Sequence, residues 1–493
     1  MLHRSPLPDI TLPADTVYGT VFGPSAHPER PAITELDTGR SVTYAQLQLL
    51  IDAAVARLSA RGIGPGSVVE LRQPNSIDFA VGFIAISATG AAACLIGPTL
   101  IDAEARHLAR LAGVTDTVRA ADLAAPAGET EPHPELPPVS PDAVAAIPFS
   151  SGTTGHQKGV VLTHRSITTN AAQFNAALAA SGIDGDIPVA APLPFSHIYG
   201  LNTLLLSSLA AGRHVYTAAR FDLPQFVEAH RAHDIELTFI APPIAIALAN
   251  HPSVDPEAFT ASKHMVCGAA PLDEELARTV ERRLTTTILQ GYGTTESSPV
   301  THVGIAGKSR PGSIGFAVPN TEFRVVDLDT GEEVEDGERG ELQVRGPQLM
   351  RGYLRNEEAT ARALHGGWLR TGDIARVAED GTVYIVDRAK DVIKYHGFQV
   401  APAELEALLL THPDIDDAAV AAYTRGEGYG KEDVPRAFVV KRNGSNLDAE
   451  TIMHWVAARV TPYKKVREVT FVEEIPRNAA GKILRRKLRD LPL

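Results

Sequence analysis

The run Ser150-Ser151-Gly152-Thr153-Thr154-Gly155-His156-Gln157-Lys158-Gly159 packs four hydroxyls, three glycines and a lysine into one loop. It follows an apolar stretch at 143–149 that reads as a strand. Glycines let backbone amides approach phosphate oxygens, and hydroxyls add donors. Lys158 supplies a positive charge suited to a leaving pyrophosphate. The pattern is not G-x-x-x-x-G-K-[ST], because Gly152 and Gly155 stand too close and Gly159 follows the lysine. A plain flexible turn is the bland alternative. So many donors directly after a strand weigh against it.

Three further segments could share the same chemistry. In Gln290-Gly291-Tyr292-Gly293-Thr294-Thr295-Glu296, the glycines would let a loop lie flat along a nucleotide. Thr295 can donate to a phosphate, and Glu296 can hold Mg²⁺. Alone, this is also what a glycine-rich surface turn looks like. In Thr371-Gly372-Asp373, followed by Asp387-Arg388, Asp373 suits the two hydroxyls of a ribose. For an isolated Gly-Asp pair a turn or capping aspartate is the favoured reading. In 476–482, Lys482 follows Gly481 on a loop ahead of a basic helix, where it is mobile and reachable. By itself it would pass for a solvated lysine.

The elements that must position these loops alternate between helix and strand. Residues 52–61 read as an amphipathic helix, 68–72 as a strand, 79–89 as a helix, and 189–191 and 236–241 as strands. Such alternation predicts an α/β chain with largely parallel sheets. The segment 124–141, rich in Pro, Ala and Glu, reads as a surface connection. From about 321, short strands and turns at 322–328, 340–345 and 381–386 suggest a β-rich subdomain. The tail offers a strand at 393–400 and a helix opened by Pro402. Strands at 418–423 and 436–441 and a helix at 449–460 follow, enough for a separate α+β domain.

Composition narrows the partners. The net charge of −13 argues against a nucleic-acid binder. The basic clusters 106–110 and 485–489 read as solvated helix faces. Two cysteines, Cys94 and Cys267, make neither a disulfide framework nor a zinc pattern. They fit a reducing compartment, the cytoplasm. The N-terminal residues carry no apolar core of a signal peptide. The apolar stretch 79–100 is broken by Gly90 and reads as a buried helix followed by a strand, not a membrane span.

Taken in order, the four loops resemble those of the adenylate-forming superfamily: acyl-CoA synthetases, firefly luciferase and peptide-synthetase adenylation domains. The segments 194–202, 241–244 and 393–406 are most similar to the 4-coumarate–CoA ligase branch. The resemblance implies a large domain of doubly wound sheets at 1–389 and a small mobile domain at 390–493. It also implies two steps: a carboxylic acid and ATP form an acyl-adenylate, then coenzyme A takes the acyl group. Ser150, Ser151, Gly152, Thr153, Thr154 and Lys158 would embrace the ATP phosphates. Gln290, Gly291, Tyr292 and Thr295 would line the adenine and phosphate site, with Glu296 on Mg²⁺. Asp373 and Arg388 would bind the ribose. Lys482 would bridge the α-phosphate and the substrate carboxylate, and Lys390 would be the hinge. Lys394 and Gln399 would act around adenylate and thiol transfer.

The resemblance makes His197 an aromatic gate beside the substrate carboxylate. Read without it, a histidine among apolar neighbours is a satisfied core residue. Tyr199, Thr203, Gly268, Ala269, Ala270, Pro299 and Val300 match the acyl pocket, with room for a flat ring or an extended chain. One departure concerns the acceptor. Many relatives carry Lys-Tyr-Lys-Gly, and this chain has Lys394-Tyr395-His396-Gly397. A neutral histidine attracts a coenzyme A phosphate less than lysine does. Arg220 could still serve one, and a carrier-protein thiol stays open as acceptor. The acid reads as hydroxycinnamate-like, with medium-chain fatty acids as the rival. A luciferase-like oxygenase is the reading from another class.

Overall fold

Thr43 starts the first long helix, Tyr44–Ala60: its hydroxyl accepts from the Gln46 amide while the Gln46 side chain reaches back to the Thr43 amide. Ser76 caps Ile77–Ala88 in a similar way, accepting from Phe79. All but one residue of that helix are buried. Gly90 then turns with φ +84° into the buried strand Ala92–Leu95. The apolar stretch is therefore a core helix and strand, as the sequence suggests. No helix among the described residues is long and apolar enough to cross a membrane.

The computed structural model describes residues 1–23, 28–123, 136–150, 157–389, 391, 393–395, 398–425, 432–478, 481–489 and 491. The chain divides into two compact units. The larger holds Leu2–Arg324 and Gln343–Arg370; the smaller holds Met1, Val325–Leu342 and Thr371–Leu493. The crossings fall inside the strands Glu322–Val326, Gly340–Arg345 and Trp368–Val377, so both units share the expected β-rich stretch.

Two sheets frame the larger unit. One runs in the order Phe316–Ala317, Val300–Val303, Thr287–Gly293, His264–Cys267, Leu237–Ile240, Pro188–Ala190, His214–Thr217, Pro31–Glu35, Ser41–Thr43. Its pairings from Thr287–Gly293 through to Pro31–Glu35 are parallel, and those outside them are antiparallel. Pro188–Ala190 has the next strand in sequence, His214–Thr217, on one side, and the one after that on the other. That reversal is the switch point of a doubly wound sheet. The other sheet runs Gly352–Tyr353, Lys158–Thr163, Val144–Ile147, Ala92–Leu95, Val68–Leu71, Asp116–Thr117. Phe79, Phe174, Phe195 and Phe239 fill the shared core. Cys94 and Cys267 are fully buried, and burial pushes the Cys94 thiol up to about 12 and the Cys267 thiol higher.

In the smaller unit, the long antiparallel pair Ile415–Arg425 and Glu432–Lys441 carries Glu468–Phe471 in parallel. The helices Pro402–Leu410 and Ala449–Ala457 bury Leu405, Leu409, Ile452 and Val456 against it. One expectation fails here. Residues 393–400 form two strands, Ile393–Tyr395 and Phe398–Val400, paired antiparallel with Lys394 opposite Gln399. A glycine inside a β-forming run is a break signal in the sequence, and His396 and Gly397 themselves lie outside the described residues. A second expectation fails at Arg485, taken from the sequence as a solvated residue. Arg106 and Arg110 do face solvent. Arg485 instead is mostly covered, with 13% of its side chain exposed, because Leu488, one turn on, packs with Ala419 and Phe438 and turns that face inward.

Candidate active site

The strand Lys158–Thr163 folds back on Phe149–Ser150, so that Ser150 stands opposite Lys158. Gly352–Tyr353 adds on beside it, with Tyr353 opposite Val160. Lys158 Nζ lies 4.7 Å from the centre of the Tyr353 ring. The Tyr353 hydroxyl donates to Glu296 Oε1 at 2.8 Å, and the Ser150 hydroxyl donates to the same oxygen at 2.8 Å. One phenol thus meets both charges, its face to the cation and its hydroxyl to the carboxylate. Burial, then Glu296, pushes the Tyr353 phenol well up, so it stays a donor. Ser151, Gly152, Thr153 and Thr154 lie outside the described residues.

Glu296 sits in a single tight turn, Thr295–Ser297, at the end of the strand Thr287–Gly293. Its backbone carbonyl accepts from the Met350 amide at 2.7 Å. The turn needs Gly293: a Cβ there would lie 1.8 Å from the Pro299 carbonyl oxygen. Thr294 N donates to that same oxygen, and so does the Ser297 hydroxyl. Gln290 is buried, and its Oε1 has no hydrogen-bond partner among the described residues. Tyr292 meets His302 edge to face, at 6.1 Å between ring centres. An orphan acceptor beside a flat glycine strand, a fixed carboxylate and a nearby lysine fit a nucleotide with its metal.

Farther along the same sheet, Tyr199 opens a π-helical stretch, Tyr199–Leu206. Its hydroxyl donates to the Val266 carbonyl at 3.1 Å. Gly268 lies hard against its ring, since a Cβ would sit 2.9 Å from Cζ. Ala269 holds φ +72°, a strained value that aims the following residue, Ala270. Thr203 Oγ1 is buried with no hydrogen-bond partner among the described residues. Val300 is pinned through its backbone by the Asn170 carboxamide, at 2.9 and 2.7 Å, and Pro299 precedes it. His197 is half-buried, and its Nδ1 accepts from the Tyr199 amide at 3.2 Å. The neutral ring therefore carries its proton on Nε2. Arg220 is exposed at the end of the loop after His214–Thr217.

The smaller unit brings its own predicted residues into order. Asp373 and Arg388 are cross-strand partners, 3.1 Å apart from Oδ1 to Nε, with Asp373 buried. Thr371 Oγ1 caps the turn by accepting from the Asp373 amide. Lys390, His396 and Gly397 lie outside the described residues, and for Lys394 and Gln399 only the backbone is described. Lys482 is tied at the backbone: its amide donates to Asn478 Oδ1 at 2.8 Å, and its carbonyl accepts from the Asn478 amide at 2.9 Å.

Around 387–391 lies a buried charge network. Arg485 donates to both Glu406 oxygens at 2.7 Å and stands 3.4 Å from Asp391. Asp387 accepts from the Arg388 amide and, at 3.2 Å, from Ala403 in the first turn of Pro402–Leu410. Burial pushes Asp387 up to about 7, with Arg485 working against the shift and Glu406 for it. A folded value above the ordinary 3.8 means the native state holds a proton that the unfolded state has lost. This contribution is complete below about pH 4 and fades as pH climbs through about 7. Asp387→Asn therefore flattens the pH dependence of the smaller unit, by on the order of 2 kcal/mol between pH 5 and 8. Melting curves at both pH values check this; parallel slopes for the two proteins would refute it.

Sequence reasoning missed Tyr353, Asn478, Arg477 and the Arg485 network. Tyr353 is 57 residues from Glu296, and no spacing rule joins them. Asn478 had a visible signal: an amide side chain four residues before the key lysine, able to close a loop.

Known proteins extend this geometry. Residues 23–354 match the family described as AMP-binding enzyme, and 404–482 match the AMP-binding enzyme C-terminal domain. The chain is 36% identical to 4-coumarate–CoA ligase 3 of Oryza sativa subsp. japonica, over 99% of this chain and 94% of that one. It is 36% identical to 4-coumarate-CoA ligase 1 of Narcissus pseudonarcissus, over 99% and 96%. Among solved structures, o-succinylbenzoate coenzyme A synthetase of Bacillus subtilis, complexed with ATP and magnesium, superposes with TM-score 0.83 at 25% identity, over 96% and 99%. The chain belongs to the AMP-binding, adenylate-forming enzyme family and is an ATP-dependent, AMP-forming acid–thiol ligase.

Proposed function

We propose that this ligase takes a hydroxycinnamate-like aryl acid and coenzyme A, and that the residues singled out by sequence carry the chemistry. The observation that carries the reading is the cluster of Lys158, Tyr353, Glu296 and Ser150, a lysine and a carboxylate fixed by one phenol. A carboxylate is a poor electrophile at neutral pH. Its attack on the α-phosphorus makes a mixed anhydride from which AMP leaves well. The reaction drives an anion against a polyanion, so positioning and charge neutralisation supply most of the catalysis. Lys158 and Ser150, with Ser151, Gly152, Thr153 and Thr154, hold the phosphates. Gln290, Gly291, Tyr292 and Thr295 hold the base side, and Asp373 with Arg388 the ribose. Glu296 would hold Mg²⁺, which when bound would supply further neutralisation of phosphate charge. Lys482 joins the α-phosphate to the incoming carboxylate.

Thiol attack needs the same carbonyl that Lys482 occupies. A turn of the 390–493 domain about Lys390 removes the lysine and brings up the hairpin bearing Lys394 and Gln399. His197 gates the carbonyl. Gly268 against the Tyr199 ring, with Ala269 and Ala270 beyond, supports a flat aryl group over a branched one. Full-length similarity to 4-coumarate–CoA ligases supports the hydroxycinnamate class. A carrier-protein thiol is the second acceptor reading, favoured by His396 in place of lysine; Arg220 is a cation that would serve a coenzyme A phosphate.

Pyrophosphate release across a panel of aryl and alkyl acids, with and without coenzyme A, tests this. Hydroxycinnamates are expected to turn over fastest, with thioester formed. Faster alkyl acids would move the substrate to medium-chain fatty acids. Pyrophosphate without thioester would move the acceptor to a carrier protein.

A further inference from the structure

Lys482 does not sit on a slack loop. Leu484 N donates to Pro476 O at 2.8 Å, and Arg477 bridges Ile483 in antiparallel fashion. Inside that closure lie the two Asn478–Lys482 bonds and a turn in which Gly481 has φ +82° and donates to the Asn478 carbonyl. The described residues on either side, 476–478 and 481–484, are thus bonded to one another, which sets the place of the Lys482 backbone.

One side chain fastens these residues to the sheet. Arg477 Nη1 donates to the Gly481 carbonyl at 3.0 Å, the residue directly before Lys482. Arg477 Nη2 meets both oxygens of Asp417, at 2.8 and 3.0 Å. Asp417 stands just after the register break between Ile415 and Asp417 in the strand Ile415–Arg425. A bulge at that point re-aims the following side chain. The Asp417 carboxylate also accepts from the Ala418 amide at 2.9 Å, which fixes its own orientation. The pair is about a fifth exposed on each side, so it lies near the surface and outside the core that holds the unit together.

We propose that Arg477, oriented by Asp417, is a positioning residue for Lys482. It couples the peptide before the lysine to the longest strand pair of the smaller unit, so the ammonium moves with that unit as a rigid part. This rests on the reading of Lys482 as the residue that joins carboxylate and α-phosphate. A flexible four-carbon stem on a loose loop would spread its charge over many places, and catalysis by an electrostatic contact needs one place. The geometry predicts a split between half-reactions. Adenylate formation depends on Arg477, whereas thiol transfer, which uses the hairpin 393–400, does not.

The test measures the two half-reactions separately in the full chain. One is pyrophosphate release with acid and ATP; the other is thioester formation from supplied acyl-adenylate and coenzyme A. Arg477→Ala is expected to slow the first by about 30- to 100-fold, the scale of a 1 Å misplacement, and to leave the second within about twofold. Arg477→Lys, which can still meet Asp417 but lacks the fork for Gly481, is expected to recover part of the loss. Asp417→Asn is the milder variant should Arg477→Ala fold poorly, with the same split at about 5- to 10-fold. Parallel losses in both half-reactions, or no loss in the first, overturn the proposal. Lys482→Ala runs beside them: unimpaired pyrophosphate release there would overturn the reading of Lys482 itself, whereas a dead Lys482→Ala with a normal Arg477→Ala overturns only the positioning role.

Discussion

Lys482→Ala loses adenylate formation, by about 100-fold or more in the rate of pyrophosphate release. The size follows from what the ammonium does. In the proposed role it stands against two anions that must approach each other, and water replaces it poorly. The fold should be untouched, because the loop is held through Asn478 and Arg477 and the backbone of residue 482, none of which needs the lysine side chain. Melting temperature within about a degree of the parent, together with the lost pyrophosphate signal, is the expected pair of results. Release at the parental rate would remove Lys482 from the chemistry.

Glu296→Gln is expected to have the next largest effect, a loss of about 100-fold in adenylation. The substitution keeps the size of the side chain and an acceptor for Ser150 and Tyr353, both of which donate to Oε1. It removes the charge. If Glu296 only braced the loop, glutamine would serve nearly as well. If it holds the metal, the activity falls and the Mg²⁺ concentration needed for half-maximal rate rises, since a hard cation prefers a charged oxygen. A Mg²⁺ titration of both proteins separates the two, and an unchanged midpoint would leave Glu296 as a brace alone.

What sequence could show and what it could not divide along a physical line. Loops of a phosphate-binding type are contiguous, and their glycines, hydroxyls and lysine advertise themselves; 150–159 and 290–296 stand out in the sequence as candidates for that reason. Helix starts are less legible: apolar periodicity opens the first two long helices at 52 and 79, whereas the caps Thr43 and Ser76 start them at Tyr44 and Ile77. The alternation of strands and helices carried the sheet class. Tyr353 was invisible, since its tie to Glu296 depends on the pairing of Gly352–Tyr353 with Lys158–Thr163, a long-range register. Arg485 was misread for a related reason. A short helix of mostly basic residues looks solvated until tertiary packing chooses its inward face. The hairpin at 393–400 was read as one strand because β-forming residues flank a two-residue break on both sides.

The two cysteines offer a practical use. Both lie in the interior of the larger unit, with thiols whose ionisation is suppressed far above neutral pH. Maleimide reagents attack thiolates, so the native protein should be nearly inert to them. A single cysteine introduced at an exposed position of the smaller unit would then be the one reactive group in the chain. A dye placed there reports its surroundings without a background to subtract, and without first removing the native cysteines from a packed core.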